Sequence, residues 1–342
     1  MIFSEYFTIY QVGLKGGYIS CCLLLALNAC ASIPQTLQLT RQSIDLPRQV
    51  ILEKVVFFPQ KKYQCGPAAL ATVLNYSGVE VLPESLVERV YLPAREGSLQ
   101  LEMIATARSY GLVTYPLDKQ LKSLLTELAA GNPVLVFQNL SLPVWPQWHY
   151  AVAVGYDLDR SEIILRSGTF RERRLSFATF ERNWQRGDYW AYVIMKGGEI
   201  PVTANPTDYL RVAYSLEDTN HGQAAFASYL AATTRWPDNS TTWMALGNSA
   251  YALGDMEQAT TAFSQVIQQT PADSAAWNNL AYTLLASACL DQAISAVTCA
   301  SRLAPTDSNI QQSVTEILAM SGAMSKTQSQ SCPTLSCPVD LD

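Results

Sequence analysis

The chain has 342 residues, of which 49% are apolar, 10% aromatic and 15% charged, enough length for two domains and enough hydrophobic material to fill their cores. That composition excludes wholesale disorder, collagen-like repeats and a long coiled coil. With 23 basic and 29 acidic residues, a net charge of −6 and no long basic run, the chain offers no electrostatic footprint for nucleic acid.

At the amino end, residues 18–29 read Tyr-Ile-Ser-Cys-Cys-Leu-Leu-Leu-Ala-Leu-Asn-Ala, with Lys15 before them. This apolar stretch is too short to cross a ~30 Å hydrocarbon layer as a helix, and it predicts an export signal over residues 1–29. The long, charge-poor stretch before Lys15 points to a start of translation downstream of Met1. Leu27-Asn28-Ala29-Cys30 resembles the bacterial lipobox, which implies that Cys30 is the lipidated first residue of the mature chain. The alternative is an ordinary cleaved signal in which Cys30 is incidental. Ala31 and Ser32 carry no acidic retention signal, so the lipoprotein reading places the chain in the bacterial cell envelope, on the outer membrane facing the periplasm. Residues 30–50, polar and without a pattern, predict a tether.

From residue 51 to 197 helical and strand patterns are mixed. Residues 55–58 are strand-like. Residues 65–76 form an Ala/Leu-rich helical run ended by Gly78, and helical stretches follow at 83–90, 99–109 and 119–130. Residues 133–137 form a short apolar strand. The β-rich runs 149–156 and 162–166 are joined by Asp157-Leu158-Asp159-Arg160, which reads as a hairpin; Ser176 caps a short helix, and 189–195 is a last strand. Helices first and antiparallel strands afterwards predict an α+β domain.

Gly197-Gly198 and the prolines at 201 and 206 mark a linker over 198–205. Beyond it residues recur with a period of 34: Tyr209, Trp243 and Trp277; Val212, Leu246 and Leu280; Ala225, Ala259 and Ala293; Tyr229, Phe263 and Val297; Pro237, Pro271 and Pro305. Period and residue types resemble the tetratricopeptide repeat, which implies helix pairs with small alanines at the close approach, aromatic groove fillers and a proline closing each unit. Residues 206–322 are therefore read as three repeats plus a capping helix, an all-α solenoid whose surface implies a protein partner. The Ser/Gln/Pro-rich segment 323–342 is expected to be disordered, with Cys332 and Cys337 near enough to pair with each other in an oxidising compartment.

The strongest chemical signal is Pro59-Gln60-Lys61-Lys62-Tyr63-Gln64-Cys65-Gly66-Pro67. A cysteine at a helix start receives the positive end of the helix dipole, which favours the thiolate nucleophile, and Pro67 suits the first turn. Gln60 can offer a side-chain NH₂ beside the backbone N–H of Cys65, a two-donor pocket for an oxyanion. The general base must be a histidine. Of the two in the chain, His149 lies in the domain, within Trp148-His149-Tyr150-Ala-Val-Ala-Val-Gly155-Tyr156, and His221 reads as a surface residue. No Cys-x-x-Cys or His-x-x-x-His pair supplies a zinc site, and no cofactor is implied.

With Gln60, Cys65-Gly66-Pro67, His149-Tyr150 and Gly155-Tyr156 in this order, the domain resembles the papain-like cysteine peptidases of the bacteriocin-processing, double-glycine-leader type. The resemblance implies Cys65 as nucleophile, His149 as base and acid, and Gln60 as oxyanion donor in hydrolysis of a peptide or protein substrate through a thioester. Those relatives orient the histidine with an Asp followed by Pro, where this chain has Ser167-Gly168. Ser167 and Asn139 are the candidate orienters. Asp157 is rejected, because eight residues of strand put it about 26 Å from His149. The missing carboxylate leaves a second reading open, a peptidase-fold scaffold that binds peptides with weak turnover or none; acyl transfer by the same thioester is a third.

Overall fold

The computed structural model describes residues 33–41, 45–60, 64–323 and 332–338. The lipobox and Cys30 lie outside these residues. Two domains appear in the predicted order, a sheet-and-helix domain followed by a run of helices.

The first domain is built on an antiparallel sheet of seven strands: β1 (Gln49–Ile51), β2 (Leu112–Pro116), β3 (Val134–Asn139), β4 (Trp148–Asp157), β5 (Glu162–Ser167), β6 (Phe170–Ser176) and β7 (Ala191–Lys196). The spatial order is β2-β7-β3-β4-β5-β6, and β1 pairs with the far half of β4. On one face lie α2 (Cys65–Tyr76), α3 (Pro83–Val90) and α4 (Gln100–Arg108); on the other lie α5 (Leu121–Ala129) and α6 (Phe177–Arg186). Helix α2 is buried from Gly66 to Leu74, because the sheet covers one side of it and α3 and α4 the other. Glycine at 155 is demanded by β1: a Cβ there would stand 2.2 Å from the Val50 carbonyl oxygen. The expected strand at 55–58 is absent. Val55 turns into the core while Val56 stays exposed, and Arg166 Nε donates to the Val55 carbonyl.

Two buried carboxylates pin down segments that sequence reads as loose. Helix α6 buries Phe177, Phe180, Glu181 and Trp184, one helical stripe containing a single charge. Glu181 accepts hydrogen bonds from the backbone N–H groups of Gln35 and Thr36 and from the Thr36 hydroxyl. These residues open helix α1 (Pro34–Arg41), so the carboxylate sits at the positive end of its dipole. Residues 34–41 and 49–51 are thus part of the domain, which corrects the expectation of a tether over 30–50. Glu127 of α5, also fully buried, accepts from the Thr203 N–H at 2.8 Å, the Thr203 hydroxyl at 2.6 Å and Asn132 Nδ2 at 2.6 Å. The linker 198–205 is therefore docked, and Asn205 N–H adds a bond to the Tyr115 hydroxyl.

The second domain pairs α7 (Pro206–Glu217) with α8 (Gly222–Arg235), α9 (Ser240–Ala252) with α10 (Met256–Gln269), and α11 (Ser274–Ala286) with α12 (Leu290–Leu303); α13 (Ser308–Ala323) closes the stack. The 34-residue period has a hydrogen-bond counterpart. Trp243 Nε1 donates to the Pro237 carbonyl at 2.7 Å and Trp277 Nε1 to the Pro271 carbonyl at 2.8 Å, while Tyr209 OH in the first unit reaches Glu199 O at 2.9 Å. Tyr209, Val212 and Leu216 continue the core formed by β2, α5 and α6. His221 lies at this junction, with its imidazole against Gly111.

The expected Cys332–Cys337 pair does not form. Cys289 is bonded to Cys332 and Cys299 to Cys337, so residues 332–338 are strapped onto the last repeat instead of hanging free. Leu335 and Cys337 pack with the cluster that includes Ile310 and Ile317. Each bridge closes a loop of 43 or 38 residues, worth ~4 kcal/mol in the chain-entropy account, more than so few apolar contacts supply.

Replacing Glu127 with Ala strands three donors in a dry site. The expected cost is about 3 kcal/mol, read as a lower urea midpoint at unchanged slope. An unmoved midpoint would show that the linker is not held by this carboxylate.

Candidate active site

Strands β3 and β5 run toward the same end of the sheet, so the β3–β4 and β5–β6 turns lie together there. At this end β4 begins with Trp148 and His149, and α2 begins with Cys65. Strand β5 pairs with β4 only from Val152 inward. The Tyr150 amide is left unclaimed by β5 and lies near enough to the Cys65 sulfur to favour the thiolate. The nucleophile candidate is therefore a neighbour of the residue covalently next to His149. The N–H groups of Cys65 and Gly66 favour the thiolate as well. Glycine at 66 is required because a Cβ would stand 2.2 Å from Ser98 Oγ.

His149 Nε2 lies 2.8 Å from the Oγ of Ser167, which is buried at the end of β5. With Ser167 accepting from Nε2–H, the lone pair of the ring falls on Nδ1, the nitrogen available for a proton. Asn139 is not an orienter. Its register partner is Trp148, whereas His149 faces Gln138, so alternation puts Asn139 on the other side of the sheet. The Asn139 Oδ1 is taken up by the N–H groups of Ser141 at 3.0 Å and Gln147 at 2.9 Å. Gln60 is anchored to the turn after Ser167, its N–H donating to the Gly168 carbonyl at 3.0 Å. Among the described residues its side-chain amide has no hydrogen-bond partner. One turn thus ties both the Gln60 segment and the His149 ring. Asp157 lies at the opposite end of β4, bonded to Gln49 and to the Arg160 N–H.

Electrostatics set the resting charge. Burial pushes the Cys65 thiol above its ordinary value, against the pull of the backbone amides of Tyr150, Gly66 and Cys65. Burial, with a smaller contribution from the Arg173 guanidinium, lowers His149 to about 4. Near pH 7 the pair is a neutral thiol and a neutral imidazole. Among the described residues no group of three or more His, Cys, Asp or Glu side chains could hold a metal ion.

Residues 52–191 match the Peptidase_C39 like family. The first domain is C39-peptidase-like. Residues 210–274 and 244–307 match the tetratricopeptide repeat, so the C39-like domain is followed by tetratricopeptide repeats. No curated protein sequence is significantly similar to the chain. Among solved structures, a C39-like peptidase from Bacillus anthracis is 19% identical, over 44% of this chain and 98% of its own, with a TM-score of 0.37. The peptidase domain of Streptococcus ComA, a bifunctional ABC transporter of a quorum-sensing pathway, is 22% identical over 41% and 98%, at 0.34. The Yersinia enterocolitica type III secretion chaperone SycD, in complex with a peptide of the translocator YopD, is 18% identical over 36% and 95%, at 0.32.

In the C39-like domain the sequence reading missed two neighbours of the pair. The Tyr150 amide is a backbone group and has no signature in residue type. Arg173 belongs to β6, an exposed strand whose run of charges conceals its alternation.

A raised thiol and a lowered imidazole give a definite pH response. Alkylation of Cys65 by iodoacetamide should climb about tenfold per pH unit from near pH 7 to about pH 9, as the thiolate appears. A rate already level below pH 7 would mean a preformed thiolate–imidazolium pair.

Proposed function

We propose that the chain is a cysteine peptidase of the bacterial cell envelope that hydrolyses peptide bonds through a thioester on Cys65, with the repeats holding a peptide or protein partner. The observation that carries this reading is the His149 ring held 2.8 Å from Ser167 Oγ at the end of the sheet where Cys65 lies near the Tyr150 amide. In the proposed reaction His149 Nδ1 takes the thiol proton as Sγ attacks the carbonyl carbon. The oxyanion is received by the Cys65 N–H and the Gln60 side-chain amide. The proton then passes to the departing amine as the C–N bond breaks, leaving the acyl group on sulfur. Water, giving its proton to the same imidazole, cleaves the thioester and restores the thiol.

The envelope location rests on the Cys30 lipobox and on the disulfides. Among the described residues Cys65 is the one free cysteine, and four others are paired, a pattern suited to an oxidising compartment. Anchoring is assigned to lipid on Cys30 by the lipobox. For the repeats, the support is a cavity of about 330 Å³ lined by Asn248, Tyr251, Phe263, Asn279 and Tyr282. Aromatic faces and amide groups of this kind suit an extended peptide, whose backbone needs both donors and acceptors.

The scaffold reading has an observation of its own: a hydroxyl, not a carboxylate, meets His149. Both readings are tested on a peptide library. On the peptidase reading Cys65→Ala abolishes cleavage, and His149→Ala slows it by roughly 10²–10⁴-fold. Ser167→Asp supplies the missing charge and should raise kcat/KM about tenfold, moving the acid limb of the profile to higher pH. Binding without cleavage in both the parent and Ser167→Asp would establish the scaffold. Location is tested by non-reducing peptide mapping of the chain recovered from cells, where the expected fragments carry Cys289–Cys332 and Cys299–Cys337; free thiols at all four would exclude an oxidising compartment.

A further inference from the structure

The turn between β3 and β4, residues 140–147, carries Leu142, Val144 and Trp145 at 60%, 86% and 81% exposure, and Trp148 follows at 51%. No charged residue occurs from Asn139 to His149. The turn is rigid. Asn139 Oδ1 grips its two ends, Leu140 N–H donates to Gln147 O at 2.9 Å, Trp145 N–H donates to Leu142 O at 3.1 Å, and Trp148 stacks on Phe137 with centroids 5.2 Å apart. Ordered apolar side chains held this far into water mark a contact surface. Exposure of 81–86% belongs to a convex crest and not to the wall of a cleft, so the crest suits a soft, continuous apolar layer.

Beside it, at the same end of the sheet, the β5–β6 hairpin presents Phe170 at 58% exposure, an exposed Arg171, and Arg173 with its guanidinium 6.0 Å from the Phe170 ring. The one acid in that strand, Glu172, is engaged by Arg174. The start of α1 reaches this end as well. Strand β2 runs up to Pro116, and just beyond it the Gln35 side chain bonds Lys119 O and Leu121 N. Residues 1–32 of the chain precede this point, and only Ala31 and Ser32 separate Cys30 from Ile33, a reach of about 10 Å.

We infer that the crest Leu142–Val144–Trp145–Trp148 enters the interface of a bilayer with anionic headgroups, Arg171 and Arg173 facing the phosphates, so that the Cys65–His149 end of the sheet rests on the membrane. The inference adds a surface to the proposed peptidase and does not depend on lipid at Cys30. Tryptophan and leucine gain from the headgroup boundary, and arginine from its negative potential.

The test reconstitutes the full chain into phosphatidylethanolamine–phosphatidylglycerol vesicles with or without brominated acyl chains, which quench tryptophans that touch them. Quenching is expected in the parent, with about half or more lost in Trp145→Phe, which keeps the apolar bulk but removes the reporter. It should also weaken when phosphatidylcholine replaces phosphatidylglycerol. No quenching, or equal quenching in parent and variant, overturns the inference. Cleavage of a soluble peptide by Val144→Ser should keep the parental KM; a severalfold rise would assign the crest to the peptide cleft and also overturn it. These optical readouts need no turnover, so an inactive Cys65–His149 pair leaves this test intact.

Discussion

The sulfur of Cys65 lies near an amide of the strand that carries His149, and the local architecture follows from keeping that amide open. Were β5 to pair with β4 beyond Val152, the Tyr150 N–H would face a neighbouring strand and the sulfur would lose that amide's pull. Because β5 stops at Ser167, its last side chain turns to the imidazole instead of continuing the ladder. The same early stop creates the turn whose Gly168 carbonyl holds Gln60. A single truncation of strand pairing thus gathers the helix tip, the imidazole, its hydroxyl partner and the oxyanion-donor candidate at one end of the sheet.

Desolvation dominates the electrostatics here. Three amides draw the thiol toward its anion, yet burial outweighs them, and His149 is lowered by burial with Arg173 adding to it. Ser167 contributes a hydrogen bond but no negative charge, so nothing offsets the cost of an imidazolium. A peptidase reading then requires the proton to move during attack, with charge separation supported by the substrate's developing oxyanion. A scaffold reading requires no proton transfer at all.

Much of this was legible in the sequence, for identifiable reasons. The period of 34 is written in large side chains that pack identically, and the Trp–Pro bonds explain why the tryptophans and prolines keep step. Helix α2 announced itself through Cys65-Gly66-Pro67. What stayed hidden depended on contacts between distant segments. Residues 34–41 look like polar spacer until Glu181 is seen to receive them. Strand β2, ending in Pro116, lies at a sheet edge where proline is tolerated, and its short run carries no polar alternation because nearly all of it is buried. Asn139 was a reasonable orienter by position, but a strand reverses side chains at every residue, and one step places it on the wrong face. Cysteine pairing followed space and not proximity along the chain.

The junction between the domains has a mechanical corollary. Glu127 clasps Thr203, Tyr115 holds Asn205, and the first repeat extends the sheet domain's own core. These contacts join the two halves without a free linker, so on the proposed function a partner held by the solenoid would keep a constant bearing toward Cys65. Reach along that partner would then be metered by geometry, the way a fence on a saw sets the length of the cut.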